Sequence, residues 1–94
     1  MDSKGPCILY FTGASCPSCA AQDKVIAHLE TSIQQAIQKV DVDANPGMAE
    51  IYGVMSLPTT MILDGDGEVQ HINYGVASTK KLAGQWKSVK GQNG

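Results

Sequence analysis

The first half of the chain carries two kinds of hydrophobic spacing, one continuous and one helical. Residues 7–11 form an unbroken apolar run with β-branched and aromatic members, which predicts a buried strand at the centre of a sheet. After a loop at 12–15, apolar residues return at helical spacing from residue 16 to about residue 30, and Pro17 suits the first turn of that helix. A second strand is predicted around residues 37–42.

The second half begins with a short helix followed by a hairpin. Asn45 is typical of a helix cap and Pro46 of a first helical position, so a helix of about two turns should start there. Residues 59–63 and 68–74 predict two strands, because the glycine- and aspartate-rich turn between them is typical of an antiparallel hairpin. Ser78 or Thr79 can cap a last helix.

The resulting order is β-α-β-α-β-β-α. Strands that are separated by helices should pair in parallel through right-handed crossovers, and the hairpin should add one antiparallel strand. We expect a single domain over 1–94 with its core at about 5–90, because a chain of 94 residues can bury one modest core.

Composition and charge exclude several function classes. The chain is 43% hydrophobic and 17% charged with a net charge of -2, which indicates an ordinary globular protein. It contains no arginine, which argues against nucleic-acid binding. No run is long enough to span a membrane, and Asp2 and Lys4 precede an apolar run too short for a secretory signal. We therefore expect a cytoplasmic protein that binds neither nucleic acid nor membrane.

Candidate chemistry is concentrated in Cys16-Pro17-Ser18-Cys19 at a strand-to-helix junction. Cysteines three apart on a helix share a face and are close enough for a disulfide. The helix N-terminus stabilises a thiolate, so we expect a lowered pKa for Cys16 and assign it the attack on a substrate disulfide. Cys19, one turn deeper, would resolve the mixed disulfide.

Plainer interpretations of the cysteines remain open. The pair could form a structural disulfide or half of a zinc site, for which the further ligands available are Cys7, His28 and His71. Neither histidine has ligand-pair spacing, so we expect no metal. Cys7 at the start of the first strand is interpreted as a small core residue, and Trp86 as a core residue of the last helix.

Several separate motifs together resemble the thioredoxin superfamily, most of all a compact thioredoxin. They follow the C-x-x-C in order over nearly the whole chain: Val42-Asp43-Ala44-Asn45-Pro46, Tyr52-Gly53-Val54, Ser56-Leu57-Pro58-Thr59-Thr60, Gly67-Glu68-Val69 and Gly75. A C-x-x-C alone is weak support, whereas the same motif followed at these distances by Leu57-Pro58-Thr59 and Gly75 is specific. Redox activity is a general property of thioredoxin-like proteins that carry a C-x-x-C.

The resemblance implies an α/β, thioredoxin-like fold in which a four-stranded mixed sheet is flanked by three helices. It implies a thiol–disulfide oxidoreductase that reduces cytosolic protein disulfides, holds no cofactor and acts as a monomer. Its oxidised form would be recharged by an NADPH-dependent flavoprotein thioredoxin reductase. The Leu57-Pro58 bond would be cis, and the substrate surface would comprise Ser15, Pro17, Leu57, Pro58 and Gly75.

Departures from the family concern the surroundings of the cysteines. Ser15 replaces the usual tryptophan, and Pro17-Ser18 replaces Gly-Pro. Tyr10 stands where relatives have a buried aspartate, so Lys39 is expected to lack an acidic partner. Tyr10, Ser18 and Lys39 are the candidate tuning residues.

Two rival functions remain from the sequence. One is a glutaredoxin-like reductase that takes electrons from glutathione, which Pro17 favours and the missing arginine and Gly-Gly pair disfavour. The other is a binding module that uses the fold without catalysis. The direction of electron flow is left open, because an oxidase or an isomerase would use the same two sulfurs.

Overall fold

A computed structural model describes residues 5–92 of the chain, so the outer ends of the expected 1–94 domain lie outside the described residues. The seven elements follow the predicted order: β1 (Cys7–Thr12), α1 (Pro17–Ile33), β2 (Gln38–Asp41), α2 (Pro46–Ile51), β3 (Thr59–Leu63), β4 (Val69–Tyr74) and α3 (Thr79–Gln92). None of the helices within residues 5–92 combines the length and the apolar character needed to cross a membrane.

The four strands form one mixed sheet in the order β2-β1-β3-β4, which confirms the expected fold class. β1 pairs in parallel with β2 and antiparallel with β3, and β3 pairs antiparallel with β4. The prediction that strands separated by a helix pair in parallel is therefore right for β1 and β2. It is wrong for β3, which enters the sheet in the opposite direction.

The second helix, which lies in the connection between β2 and β3, is short. α2 has six residues, which extend about 9 Å at the α-helical rise. β1 also has six residues, but an extended strand of that length covers about 20 Å. α2 alone covers less than half of that length, and Thr59 at the start of β3 pairs with Phe11 near the end of β1, so β3 starts at the edge where β1 and β2 end.

The helix termini follow the sequence with one exception. α1 begins at Pro17 as expected and ends with Gln34 in the left-handed region at φ 55°. The Ser78 hydroxyl accepts a hydrogen bond of 3.1 Å from the Lys81 amide, so Ser78 caps α3. The prediction that the Asn45 side chain caps α2 is wrong, because its amide instead donates to the Asp41 carbonyl at 3.3 Å.

The sheet separates two apolar layers. Strand β1 contributes to both, because alternate side chains point to opposite faces. One face is covered by α1 and α3, with Trp86 3% exposed, which confirms its expected core position. This layer comprises Ile8, Tyr10, Ile26, Leu29, Ile37, Ile62, Ala77, Leu82, Trp86 and Val89. The opposite layer comprises Leu9, Phe11, Val40, Met61 and Leu63, with Met48 of α2 and Tyr52 packed against it.

Gly75 ends β4 in a conformation that favours glycine. Its φ is +80°, a region in which a side chain at Cβ crowds the following carbonyl. Its amide donates a hydrogen bond of 2.8 Å to the Pro58 carbonyl. The turn after β4 is thus attached to the residue that precedes β3.

We predict that Gly75→Ala lowers the free energy of unfolding by about 1–2 kcal/mol, because the left-handed region is strained for alanine. The matched control is Gly84→Ala in the interior of α3, where an added Cβ meets no atom within 4 Å. That control should raise the free energy of unfolding by about 0.5–1 kcal/mol, since alanine favours helix. Urea unfolding curves measure both values, and a stability loss of similar size in the control would contradict the explanation.

Candidate active site

The two cysteines of the C-x-x-C lie at the start of α1 and are joined by a disulfide. Cys16 is the N-cap residue, with extended backbone angles of φ -119° and ψ 98°, and Pro17 takes the first helical position. The Cα atoms of Cys16 and Cys19 are 5.3 Å apart. Cys19 is 3% exposed, whereas Cys16 is partly exposed. Only the first sulfur is therefore placed to meet a macromolecular substrate.

The helix start favours negative charge on that first sulfur. The first amides of a helix have no intrahelical acceptor, and the aligned peptide dipoles add partial positive charge there. The first turn of α1 carries no acidic residue that would oppose this effect. Ser18 and the Ser15 side chain are exposed beside the pair.

The loop before the cysteines is hydrogen-bonded to the residues that follow β2 and lies close to Leu57. The Ala14 amide donates to the Asp43 carboxylate at 3.0 Å, and the Val42 amide donates to the Thr12 carbonyl at 2.9 Å. A Cβ added to Gly13 would lie 2.9 Å from Leu57 Cδ1. A side chain at position 13 would therefore require the Leu57 side chain to move, which places the loop close to the segment that precedes β3.

That segment completes the arrangement expected from the sequence. The Leu57-Pro58 peptide bond is cis, as expected. Pro58 is buried and Leu57 half-buried. Since Thr59 pairs with both Phe11 and Tyr74, the start of β3 lies between the ends of β1 and β4. Exposed apolar side chains surround this edge: Met55 at 94%, Tyr74 at 64% and Val76 at 54% exposure.

A polar cluster lies behind Cys19 and corrects one expectation. The Tyr10 hydroxyl is 2.7 Å from Asp23 Oδ1 and 3.2 Å from the Cys19 carbonyl oxygen, so both oxygens can accept its hydrogen bond. Lys39 Nζ is 3.6 Å from the same Asp23 oxygen. The expectation that Lys39 lacks an acidic partner is therefore wrong. The partner comes from α1, one turn after Cys19, and not from the strand position that Tyr10 occupies.

Burial and the carboxylate change the acidity of the tyrosine. Tyr10 is fully buried, and loss of hydration is the main reason why its pKa rises to about 12, with the hydrogen bond to Asp23 adding to the effect. Its hydroxyl is thus a firm hydrogen-bond donor throughout the neutral range. Burial also raises the pKa of the Cys7 thiol, which packs at the edge of one apolar layer as expected of a core residue.

The sequence did not predict a role for Asp23 or Gln22. The sequence did contain a signal that both lie beside Cys19, because residues three and four positions after Cys19 share its helix face. Gln22 is a polar side chain on the stripe formed by Cys19, Ile26 and Leu29, and it is fully buried. Within residues 5–92, no three His, Cys, Asp or Glu side chains group closely enough to hold a metal ion.

Comparisons with known proteins agree with this geometry. A family model described as "TraF: F plasmid transfer operon protein" matches residues 3–86. A thioredoxin of Bacillus subtilis is 35% identical over 82 residues, which are 85% of this chain and 78% of the relative. A bifunctional thioredoxin reductase/thioredoxin of Mycobacterium leprae is 31% identical over 74 residues, which are 77% of this chain and 16% of that protein.

A solved structure shows the same fold. Thioredoxin-2, a component of the protein secretion machinery of the malaria parasite, superposes with a TM-score of 0.86. The superposition covers 94% of this chain and 86% of the other at 24% sequence identity. At this identity the likeness concerns the fold alone.

The buried Tyr10 hydroxyl predicts a specific loss of stability in alkaline solution. An unfolded tyrosine has a pKa of about 10, whereas the pKa of folded Tyr10 is about 12. The folded state holds its proton longer, so this contribution is complete below pH ~10 and is lost as the pH rises toward 12.

Tyr10→Phe lacks this titration and isolates it from other alkaline effects. We expect the free energy of unfolding of the wild type to fall relative to the variant between pH ~10 and ~12. Near neutral pH the variant should be less stable by about 1 kcal/mol, because the Asp23 hydrogen bond is lost. Urea unfolding of both proteins across this range measures the difference, and parallel curves would contradict the assignment.

Proposed function

The chain belongs to the thioredoxin family and to the family that the TraF model describes, it is a thiol–disulfide oxidoreductase, and from this premise we propose that it reduces cytosolic protein disulfides through a Cys16–Cys19 cycle. The observation that carries the proposal is the asymmetry of the pair. A partly exposed cysteine occupies the N-cap position of α1, and a buried cysteine one turn deeper is bonded to it.

The proposed cycle transfers two electrons from the dithiol to the substrate. The Cys16 thiolate attacks one sulfur of a substrate disulfide, and the other substrate sulfur leaves as a thiolate. Cys19 then loses its proton, and its thiolate attacks Cys16 Sγ in the mixed disulfide. The second substrate sulfur leaves, and the Cys16–Cys19 disulfide forms.

We propose that the edge around the cysteines binds substrate chain. Ser15 and Pro17 flank the attacking sulfur, while Leu57, Pro58 and Gly75 form the opposite side through the hydrogen bond from Gly75 to Pro58. The exposed apolar side chains of Met55, Tyr74 and Val76 beside this edge suit a flexible apolar segment with little sequence preference. Since Gly75 ends an edge strand, its neighbourhood leaves room for an added extended segment.

We propose that Tyr10, Lys39 and Ser18 tune the second step. The Tyr10 hydroxyl connects the Asp23 carboxylate to the Cys19 backbone carbonyl, and Lys39 pairs with the same carboxylate. This group is placed to take up the Cys19 proton through water. The exposed Ser18 hydroxyl is a second route on the solvent side.

We propose that an NADPH-dependent flavoprotein reductase recharges the disulfide of a monomeric protein that holds no cofactor of its own. The Mycobacterium leprae relative supports a reductase partner, because its printed name joins a thioredoxin reductase to a thioredoxin. The reductase would return two electrons by the same exchange run in reverse.

Single cysteine variants separate the proposed roles. Cys16→Ser should reduce insulin no faster than the uncatalysed reaction, because the attacking thiolate is absent. Cys19→Ser should accumulate a stable mixed disulfide on Cys16, since the resolving thiol is gone. Cys7→Ser is the control and should keep the wild-type rate. Insulin turbidity and mass spectrometry measure these outcomes, and catalysis by Cys16→Ser would favour a binding module with incidental thiols.

The source of electrons distinguishes the proposal from its glutaredoxin-like rival. With NADPH and a bacterial thioredoxin reductase, the oxidised protein should turn over insulin. With glutathione, glutathione reductase and NADPH in place of that enzyme, turnover should be at least about tenfold slower. NADPH consumption at 340 nm measures both, and the opposite preference would contradict a thioredoxin-type reductase.

A further inference from the structure

Gln22 of α1 is a buried amide of which one half is bonded and the other is not. Its side chain is 0% exposed, and Oε1 accepts a hydrogen bond of 2.8 Å from the Ala77 amide. Because a backbone amide only donates, this contact fixes which end of the Gln22 amide is oxygen. Within residues 5–92, no atom accepts a hydrogen bond from the buried Nε2.

An unpaired buried donor is costly and requires an explanation. An apolar side chain at this position would avoid the cost, and the neighbouring buried positions of α1, Ile26 and Leu29, are apolar. The second unpaired group found in the same residues is the Thr60 hydroxyl in β3. Gln22 differs from Thr60 because it shares a helix with the reacting cysteines.

The helix places the Gln22 amide over the turn that contains Cys19. Residues three apart lie on one helix face, and helical side chains lean toward the N-terminus, so a long side chain covers the preceding turn. Both Cys19 and Gln22 are buried, at 3% and 0% exposure. The Cys19 sulfur thus lies on the same buried helix face as Gln22, one turn toward the N-terminus, and is the polarisable acceptor on that turn.

The disulfide restricts that sulfur in the oxidised state. While Cys19 Sγ is bonded to Cys16 Sγ, its position is fixed by the short ring. Cleavage of the bond frees the Cys19 side chain to choose among staggered rotamers. It also converts a poor acceptor into a thiol or thiolate, and hydrogen bonds to ionised acceptors are the stronger ones.

We propose that Gln22 is a redox-tuning positioning residue whose Nε2 donates a hydrogen bond to Cys19 Sγ only in the reduced protein. The donor is unsatisfied in the oxidised state and satisfied after reduction, so Gln22 stabilises the dithiol relative to the disulfide. In the second step of the cycle, the same bond favours the Cys19 thiolate that attacks Cys16 Sγ.

The other half of the amide links this effect to the substrate edge. Ala77 is two residues beyond Gly75, whose amide is bonded to Pro58. The Oε1 contact thus holds the turn after β4 against α1, while Nε2 has no partner in the oxidised protein. Two charged groups, Asp23 and Lys39, lie near the turn that contains Cys19. Asp23 accepts a hydrogen bond from Tyr10 and pairs with Lys39, so a change at Gln22 leaves these contacts in place.

The inference rests on the proposed Cys16–Cys19 cycle and is tested by the redox equilibrium of Gln22→Met. Methionine has similar length and no donor, so the cost in the disulfide state disappears. We expect the equilibrium constant for forming the intramolecular disulfide in glutathione buffers to rise about tenfold, which corresponds to a potential ~30 mV more negative. Gln85→Met on α3 removes another partly buried amide, one bonded to Asn73, and should leave the equilibrium unchanged.

A second variant separates the two halves of the amide. Gln22→Glu keeps an oxygen for the Ala77 amide and replaces the donor by a carboxylate oxygen, so the equilibrium should shift further in the same direction. Urea unfolding of both redox forms checks the folding of each variant. Gln22→Met should destabilise the reduced form more than the oxidised form, whereas equal losses with an unchanged equilibrium would overturn the inference.

Failure of the proposed function and failure of the inference about Gln22 give different results. If the wild type does not cycle with insulin, the proposed function fails and the Gln22 measurement loses its meaning. If the wild type cycles and Gln22→Met keeps the wild-type redox equilibrium, only the inference about Gln22 is wrong.

Discussion

The antiparallel pairing of β1 with β3 is the constraint on which the site depends. It brings the first residue of β3 opposite Phe11, next to the end of β1. From that end the chain continues into the cysteine loop, and from the start of β3 it continues back into Pro58 and Leu57. Had β3 been parallel, these residues would lie at the far edge of the sheet. Strand direction therefore creates the site, and the hydrogen bond from the Gly75 amide to the Pro58 carbonyl holds the turn after β4 beside it.

The cysteine pair combines two environments that a single surface position could not offer. A helix start supplies partial positive charge at Cys16 without a charged side chain. Cys19 lies one turn deeper, where the loss of water makes each neighbouring dipole more effective. Attack and resolution thus take place on one helical turn, and the 5.3 Å between the two Cα atoms needs no movement of the backbone to close the disulfide.

The sequence predicts the local elements well because their signals are local. The apolar run of β1, Pro17 at the helix start and the glycine turn of the hairpin each act within a few residues, and all are confirmed. The direction of β3 was missed because it depends on the path of the whole connection between β2 and β3, which is a three-dimensional property. The prediction that the Asn45 side chain caps α2 is wrong because this side chain has a competing partner in the Asp41 carbonyl.

Asp23 and Gln22 are residues of the site that the family motifs did not predict. The resemblance led to the strand position of Tyr10, whereas the carboxylate beside Lys39 is four residues after Cys19 on the helix. Adjacent positions on α1 thus present a charged acceptor toward the Tyr10 side and a neutral amide toward the Ala77 side. A carboxylate favours removal of the thiol proton, while an amide donor favours the resulting anion. Because Asp23 is bonded to Tyr10 and Gln22 to the Ala77 amide, a helix could acquire either residue without the other, and here the chain carries both.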